Sequence, residues 1–168
     1  MSKVPIRLTV NGRDTEVWAW PNQTLLEVLR NEVGTPEVKY GCGEGICGTC
    51  AVLLDGESIN SCLVYVVQVD GAQVTTLKGL AGDDGSLHPL QQSFLDHGAS
   101  QCGFCTPGMV LTAFEFVRDH PEPSREEIRG ALSGNLCRCT GYAKIVDAVE
   151  AYARGERASN TASEEQRA

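Results

Sequence analysis

The sequence predicts an α+β protein in two parts, a small strand-bearing unit followed by an all-helical one. Three observations lead there. Alternating apolar and polar residues with tight-turn signals fill the chain up to about residue 77. Helix caps and helical apolar spacing replace them from about residue 80. Eight cysteines divide into two sets of four, one set in each part.

In the first part, Ile6 to Val10 alternates, Asn11-Gly12 is a hairpin turn signal, and Glu16 to Trp20 returns as the paired strand. Thr24 and Glu27 stand at capping-box spacing around Leu25, Leu26, Val28 and Leu29, which predicts a short helix ending near Gly34-Thr35-Pro36. A glycine-rich cysteine loop follows. Ala51 to Leu54, the Asp55-Gly56 turn and Glu57 to Leu63 read as a second hairpin that puts Cys62 on a strand. Val74 to Leu77 gives another strand after Asp70-Gly71. Strands wrapped around one helix make a small α+β domain, taken as residues 1–79.

The boundary falls between Leu77 and Asp84, and residues 80–155 read as four helices. His88 to His97 forms the first, with Leu90, Phe94 and Leu95 inward; Pro107 to Arg118 forms the second, its proline suited to a first turn. Ser124 and Glu127 cap a third that ends near Gly134-Asn135, and Tyr142 to Ala153 forms the fourth. The polar tail, 156–168, is expected to be disordered.

Composition narrows the function classes. A formal charge of −8 without clustered Lys and Arg argues against nucleic acid, so a protein partner is the better expectation. No apolar run reaches signal-peptide or bilayer length, which suggests a soluble cytoplasmic protein without membrane insertion. Thiols in a reducing compartment serve metals or catalysis sooner than disulfides.

Cys42, Cys47, Cys50 and Cys62 carry the x4, x2 loop spacing that plant-type ferredoxins use for a 2Fe-2S cluster. Zinc sites present CxxC pairs on two knuckles, whereas here three cysteines crowd one loop with Gly41, Gly43, Gly45 and Gly48 among them. Glycines let backbone N–H groups turn toward bridging sulfides, so the spacing favours a cluster over zinc, disulfides and inert thiols. The second set, Cys102, Cys105, Cys137 and Cys139, is less decisive. Its CxxC suits a thioredoxin-like pair, half a zinc site or two cluster ligands. Cys137 and Cys139 cannot easily close a relaxed disulfide on each other, yet both can reach neighbouring irons from a helix end. That favours a second cluster and leaves the alternatives open.

Three motifs then identify a resemblance. Gly41-Cys42-Gly43-Glu44-Gly45-Ile46-Cys47-Gly48-Thr49-Cys50, Gln101-Cys102-Gly103-Phe104-Cys105-Thr106-Pro107-Gly108-Met109 and Gly134-Asn135-Leu136-Cys137-Arg138-Cys139-Thr140-Gly141-Tyr142 resemble the iron-sulfur small subunit of molybdenum hydroxylases, the xanthine oxidase family, over roughly Val4 to Ala153. The resemblance implies an N-terminal β-grasp 2Fe-2S ferredoxin domain and an all-α four-helix 2Fe-2S domain. It also implies a large subunit carrying a molybdopterin-type molybdenum cofactor and a medium subunit carrying FAD, assembled as a dimer of heterotrimers. Electrons would pass from molybdenum through the cluster of Cys102, Cys105, Cys137 and Cys139, then through that of Cys42, Cys47, Cys50 and Cys62, to FAD. Gln101 and the Cys139 sulfur match family positions that hydrogen-bond the pterin; without the family, Gln101 reads as a polar residue at a helix end.

With every cysteine spent on iron, no side chain remains to activate water or bind substrate, so no catalytic residue is expected in this chain. His88, His97 and His120 lack paired spacing and read as helix-end or solvent-facing. The Glu122 to Arg129 charges read as a solvated helix face, and Trp18, Trp20 and Tyr142 as core or interface packing. Two function classes follow: an electron-transfer subunit of a molybdenum-containing oxidoreductase, family exceptions oxidising carbon monoxide or removing a phenolic hydroxyl included, and a free-standing 2Fe-2S carrier. A zinc-binding structural module is a distant third.

Overall fold

The computed structural model describes residues 2–82 and 84–155; the expected disordered tail lies outside the described residues. Among the described residues the fold is mixed α/β, with all five strands before residue 76 and four of the five α-helices after residue 88. Strands β1 (Val4–Val10) and β2 (Arg13–Ala19) form the first hairpin, in register from Val4 opposite Ala19 to Val10 opposite Arg13. Period-two alternation puts Ile6, Leu8 and Val10 inward, with Val17 and Ala19 from the return strand. Strands β3 (Ala51–Leu54), β4 (Glu57–Asn60) and β5 (Gln73–Thr75) complete one sheet of order β2-β1-β5-β3-β4. β1 and β5 pair in parallel, and the other pairs are antiparallel.

Helix α1 (Leu25–Val28) begins on the expected capping box: Thr24 Oγ1 accepts the Glu27 N–H, and the Glu27 carboxylate accepts the Thr24 N–H. One wider π turn, Leu29–Val33, carries it on to a left-handed Gly34. Leu25, Leu26, Val28 and Leu29 are almost fully buried in the core under the sheet.

Cys62 is not on a strand. β4 stops at Asn60, and Ser61–Leu63 form a 3-10 turn. The Ser61 hydroxyl (2.7 Å) and N–H (3.4 Å) both donate to the Cys50 carbonyl, pulling the chain off the strand and turning Cys62 toward Cys50.

Helices α2 (Pro89–Asp96), α3 (Thr106–Asp119), α4 (Arg125–Ala131) and α5 (Ala143–Ala153) enclose a second apolar core that includes Leu90, Phe94, Met109, Val110, Ile128, Ile145 and Val149. Helical spacing would turn Leu95 inward, yet it is 58% exposed. Ser93 takes the inward place instead, because its hydroxyl can satisfy the buried Ala148 carbonyl at 2.7 Å. The α4 charges lie on a solvated face except Arg125, which pairs with Asp147 at 2.7 Å and with Glu150, fastening α4 to α5. Trp18 and Trp20 do not pack into the core: they are 58% and 42% exposed on and just beyond an edge strand.

Helix α3 joins the two cores. Gly108, Thr112, Glu115 and Arg118 recur every three or four residues and so share one face. That face grips the β3–β4 hairpin. The Glu115 carboxylate accepts the Ser58 N–H at 2.9 Å, Thr112 and Ser58 hydroxyls meet at 3.3 Å, and Arg118 donates to the Gly56 carbonyl at 2.8 Å. The edge of β4 is thereby capped by side chains, which blunts a strand that would otherwise be open to pairing. Among the described residues no helix is long and apolar enough to cross a membrane.

Candidate metal centres

The first cysteine loop wraps inward because Gly43, Gly45 and Gly48 all adopt positive φ, between 68° and 74°. That conformation aims backbone donors at sulfur: the N–H groups of Glu44 and Ile46 each lie 3.3 Å from Cys42 Sγ, and the Cys42 N–H lies 3.4 Å from Cys47 Sγ. Thr49 Oγ1 adds a contact of 2.9 Å to Cys47 Sγ. Asn60 braces the loop by donating to the Gly45 carbonyl at 3.1 Å. Cys50 and Cys62 form a buried pair beneath.

The second set gathers at the open end of the helical core. Cys105 immediately precedes α3, Cys102 lies in the loop before it, and Cys137 and Cys139 occupy the segment between α4 and α5. Cys102 Sγ and Cys139 Sγ are 3.5 Å apart at the surface, and Cys105 and Cys137 interact deeper in. Cys137 Sγ receives the Thr140 N–H at 3.5 Å and lies 3.1 Å from Thr140 Oγ1. Gln101 is exposed beside Cys102.

Backbone donation and burial pull the thiols in opposite directions. N–H donation from Glu44, then from Cys47, brings Cys42 down to about 6, whereas burial pushes Cys50 up to about 11 and Cys105 up to about 12. The Phe104 N–H lowers Cys102, while Cys139, donating to Cys102, is raised. Cys137 is lowered too, burial being outweighed by donation from the Thr140 hydroxyl and N–H, so each site sets a lowered thiol beside a raised one whose proton an incoming metal would displace.

The donor set fits a 2Fe-2S cluster at each place. Two irons require thiolates in twos, and the eight sulfurs associate in twos: Cys42 with Cys47, Cys50 with Cys62, Cys102 with Cys139, and Cys105 with Cys137. Among the described residues no three His, Cys, Asp or Glu side chains converge as a single-ion site. The N–H groups around the sulfurs are the donors that a negatively charged cluster needs.

The two loops touch. The Leu136 N–H donates to the Cys47 carbonyl at 2.9 Å, and buried Asn135 donates from Nδ2 to the Gly48 carbonyl at 3.1 Å. Gly48 and Gly108 are glycines because this approach leaves no room: a Cβ on Gly48 would meet the Gly134 carbonyl at 2.5 Å, and one on Gly108 would collide with the Gly48 carbonyl. Thr49, Asn60, Asn135, Thr140 and Tyr142 were not singled out as site residues from sequence. Of these, Thr49 and Thr140 had a signal, a hydroxyl two or three residues from a cysteine in each motif. The histidines sit at helix ends: His88 N-caps α2 through Nδ1, and His97 and His120 follow the last turns of α2 and α3.

Two family profiles match the chain, a 2Fe-2S iron-sulfur cluster binding domain over residues 8–85 and a 2Fe-2S binding domain over residues 76–150. The nicotinate dehydrogenase small FeS subunit of Eubacterium barkeri is 48% identical over 149 residues, covering 89% of this chain and 94% of that one. The nicotine 6-hydroxylase small subunit of Paenarthrobacter nicotinovorans is 46% identical, covering 88% of each. A chain of quinoline 2-oxidoreductase from Pseudomonas putida 86 superposes with a TM-score of 0.86 at 43% identity, covering 94% of this chain and all of that one.

Proposed function

The chain belongs to the family of iron-sulfur small subunits of molybdenum hydroxylases, and we propose from that membership that it carries electrons, one at a time, between a molybdopterin subunit and an FAD subunit. Bound 2Fe-2S clusters supply the one-electron chemistry, and the protein supplies their ligands, hydrogen bonds and spacing. The observation that carries the reading is the association of the eight thiols in four pairs. Cys42 and Cys47 take one iron of the first cluster and Cys50 and Cys62 the other. Cys102 with Cys139, and Cys105 with Cys137, divide the second cluster in the same way.

The two apolar cores support a division into a β-grasp ferredoxin domain, 1–79, and a four-helix domain, 80–155. Gln101 and Cys139 are both exposed, and Gln101 adjoins Cys102, whose Sγ is 3.5 Å from that of Cys139, which supports reading the two as contacts for a pterin presented by the large subunit. Phe104 and Leu136, 46% and 50% exposed near the second cysteine set, are apolar surface suited to burial against such a partner, which favours a subunit over a free carrier. A cytoplasmic dimer of heterotrimers is the assembly proposed.

The test is the native complex. Iron, labile sulfide and molybdenum are assayed, copurifying polypeptides are identified, and reduced-state EPR should show two distinct 2Fe-2S signals. Cys137→Ser should lose or perturb one signal only. A zinc-containing monomer, or loss of both signals from correctly folded protein, would overturn the proposal.

A further inference from the structure

The segment after Cys139 holds a backbone conformation that few side-chain-bearing residues adopt. Gly141 and Tyr142 are consecutive left-handed residues, φ 64° and 68°, and for tyrosine that is a strained state that its surroundings must impose. Both ends of Tyr142 are fixed. Its N–H donates to Thr140 Oγ1 at 3.1 Å, while its phenolic oxygen accepts the Cys137 N–H at 2.8 Å and its O–H donates to the Asn135 carbonyl at 3.3 Å.

The first of these bonds decides which way the Thr140 hydroxyl points. A hydroxyl has one proton and two lone pairs. One lone pair of Oγ1 is taken by the Tyr142 N–H, so the proton is free for Cys137 Sγ at 3.1 Å. A ligating thiolate carries no proton and can only accept, so the contact has one direction: Thr140 donates. The Thr140 N–H, aimed at the same sulfur at 3.5 Å, makes a second donor from one residue.

We propose that Thr140, its hydroxyl held by the strained Tyr142 backbone, donates an O–H···S hydrogen bond to Cys137 that raises the reduction potential of the second cluster. The inference rests on the ligand reading above. The physical cause is charge: one electron added by a mediator makes the cluster and its sulfurs more negative, so a hydrogen bond to sulfur is stronger in the reduced state. Thr140 acts through Cys137 and touches no substrate; it is a positioning residue for potential.

The experiment is an EPR-monitored redox titration of the complete complex, with dithionite as reductant and dye mediators, on wild type, Thr140→Val and Thr140→Ser. Thr140→Val should shift the one-electron equilibrium of one cluster toward the oxidised form roughly tenfold, which is about 59 mV lower. The other cluster should stay in place as an internal reference, and Thr140→Ser should keep the wild-type value. If Thr140→Val does not load the second cluster, Thr140→Ala deletes the hydroxyl without replacing its bulk. An unchanged potential in a loaded Val or Ala variant overturns the proposal. Loss of the cluster from both also overturns it, since the hydroxyl would then hold the cluster instead of tuning it. Absence of a second 2Fe-2S signal from wild type is a different result and counts against the ligand reading itself.

Discussion

The backbone N–H of Leu136 donates to the carbonyl oxygen of Cys47 across 2.9 Å, so a single hydrogen bond joins a residue of the first cysteine loop to the immediate neighbour of Cys137. The spacing of the two loops is set by backbone, and the buried Asn135 side chain bolts them: it donates to Gly48, while the Asn135 carbonyl accepts the Tyr142 hydroxyl.

Asn135→Ala should therefore destabilise the protein by about 0.5–1.5 kcal/mol, because the buried Gly48 carbonyl loses its side-chain donor and keeps only the Ala51 N–H. Thermal unfolding should show the loss as a lowered Tm. A Tm equal to that of wild type would mean that Leu136 alone holds the junction.

Gly108→Ala tests the same junction with two opposed effects. Alanine is favoured over glycine by about 1 kcal/mol at most, the helix-interior figure, Gly108 being in the first turn of α3. Against that, the new methyl would run into the Gly48 carbonyl, and overpacking a fixed contact costs about 1–3 kcal/mol. The collision should win, giving a lower urea midpoint.

Much of this organisation was legible in advance. Asn11-Gly12, the Thr24 and Ser124 capping boxes and Pro107 each announce a local geometry, and each is found where the chain places it. The misses have a common cause. Cys62 leaves its strand because Ser61 bonds to Cys50, and Leu95 gives way to Ser93 because of the Ala148 carbonyl. In both places a hydroxyl answers a carbonyl that is distant in sequence, and hydrophobic period carries no record of such pairings. The cysteine sets were legible from spacing and motif, whereas the donors around Cys137 depend on the left-handed turn at Tyr142, which no local pattern announces for a tyrosine.

His88 should make stability depend on pH. Burial lowers its pKa, its Nδ1 accepts the Leu90 N–H, and its ring packs edge-on against Phe114. With the folded value below the ordinary one of about 6.5, the unfolded chain binds the proton more readily. The contribution is complete above about pH 6.5 and is lost as pH falls through the folded pKa. His88→Asn keeps a capping acceptor and removes the titration, so the difference in urea midpoint between the two proteins should narrow or reverse from pH 8 to pH 5.

Glu115 carries the opposite sign. Burial first, and then neighbouring Glu57, raise its pKa, although the Ser58 N–H partly offsets them. Its contribution is present at low pH and is lost as pH rises through the folded value. Glu115→Gln, which retains an acceptor for Ser58 without the charge, should match or exceed wild type in urea at pH 7. Glu115→Ala strands the Ser58 N–H and should cost about 1–3 kcal/mol.

Helix α3 makes the molecule unforgiving of small insertions. Its contacts with the other half, from Gly108 through Thr112 and Glu115 to Arg118, lie along one stripe, with Cys105 just before its first turn. One added residue after Gly108 would rotate everything beyond it by about 100° and advance it by about 1.5 Å. Ser58 and Gly56 would then face apolar side chains in place of their partners, while Cys105 stayed where it was. Natural length variation in this lineage should accordingly collect in the turns and spare the fourteen residues of this helix.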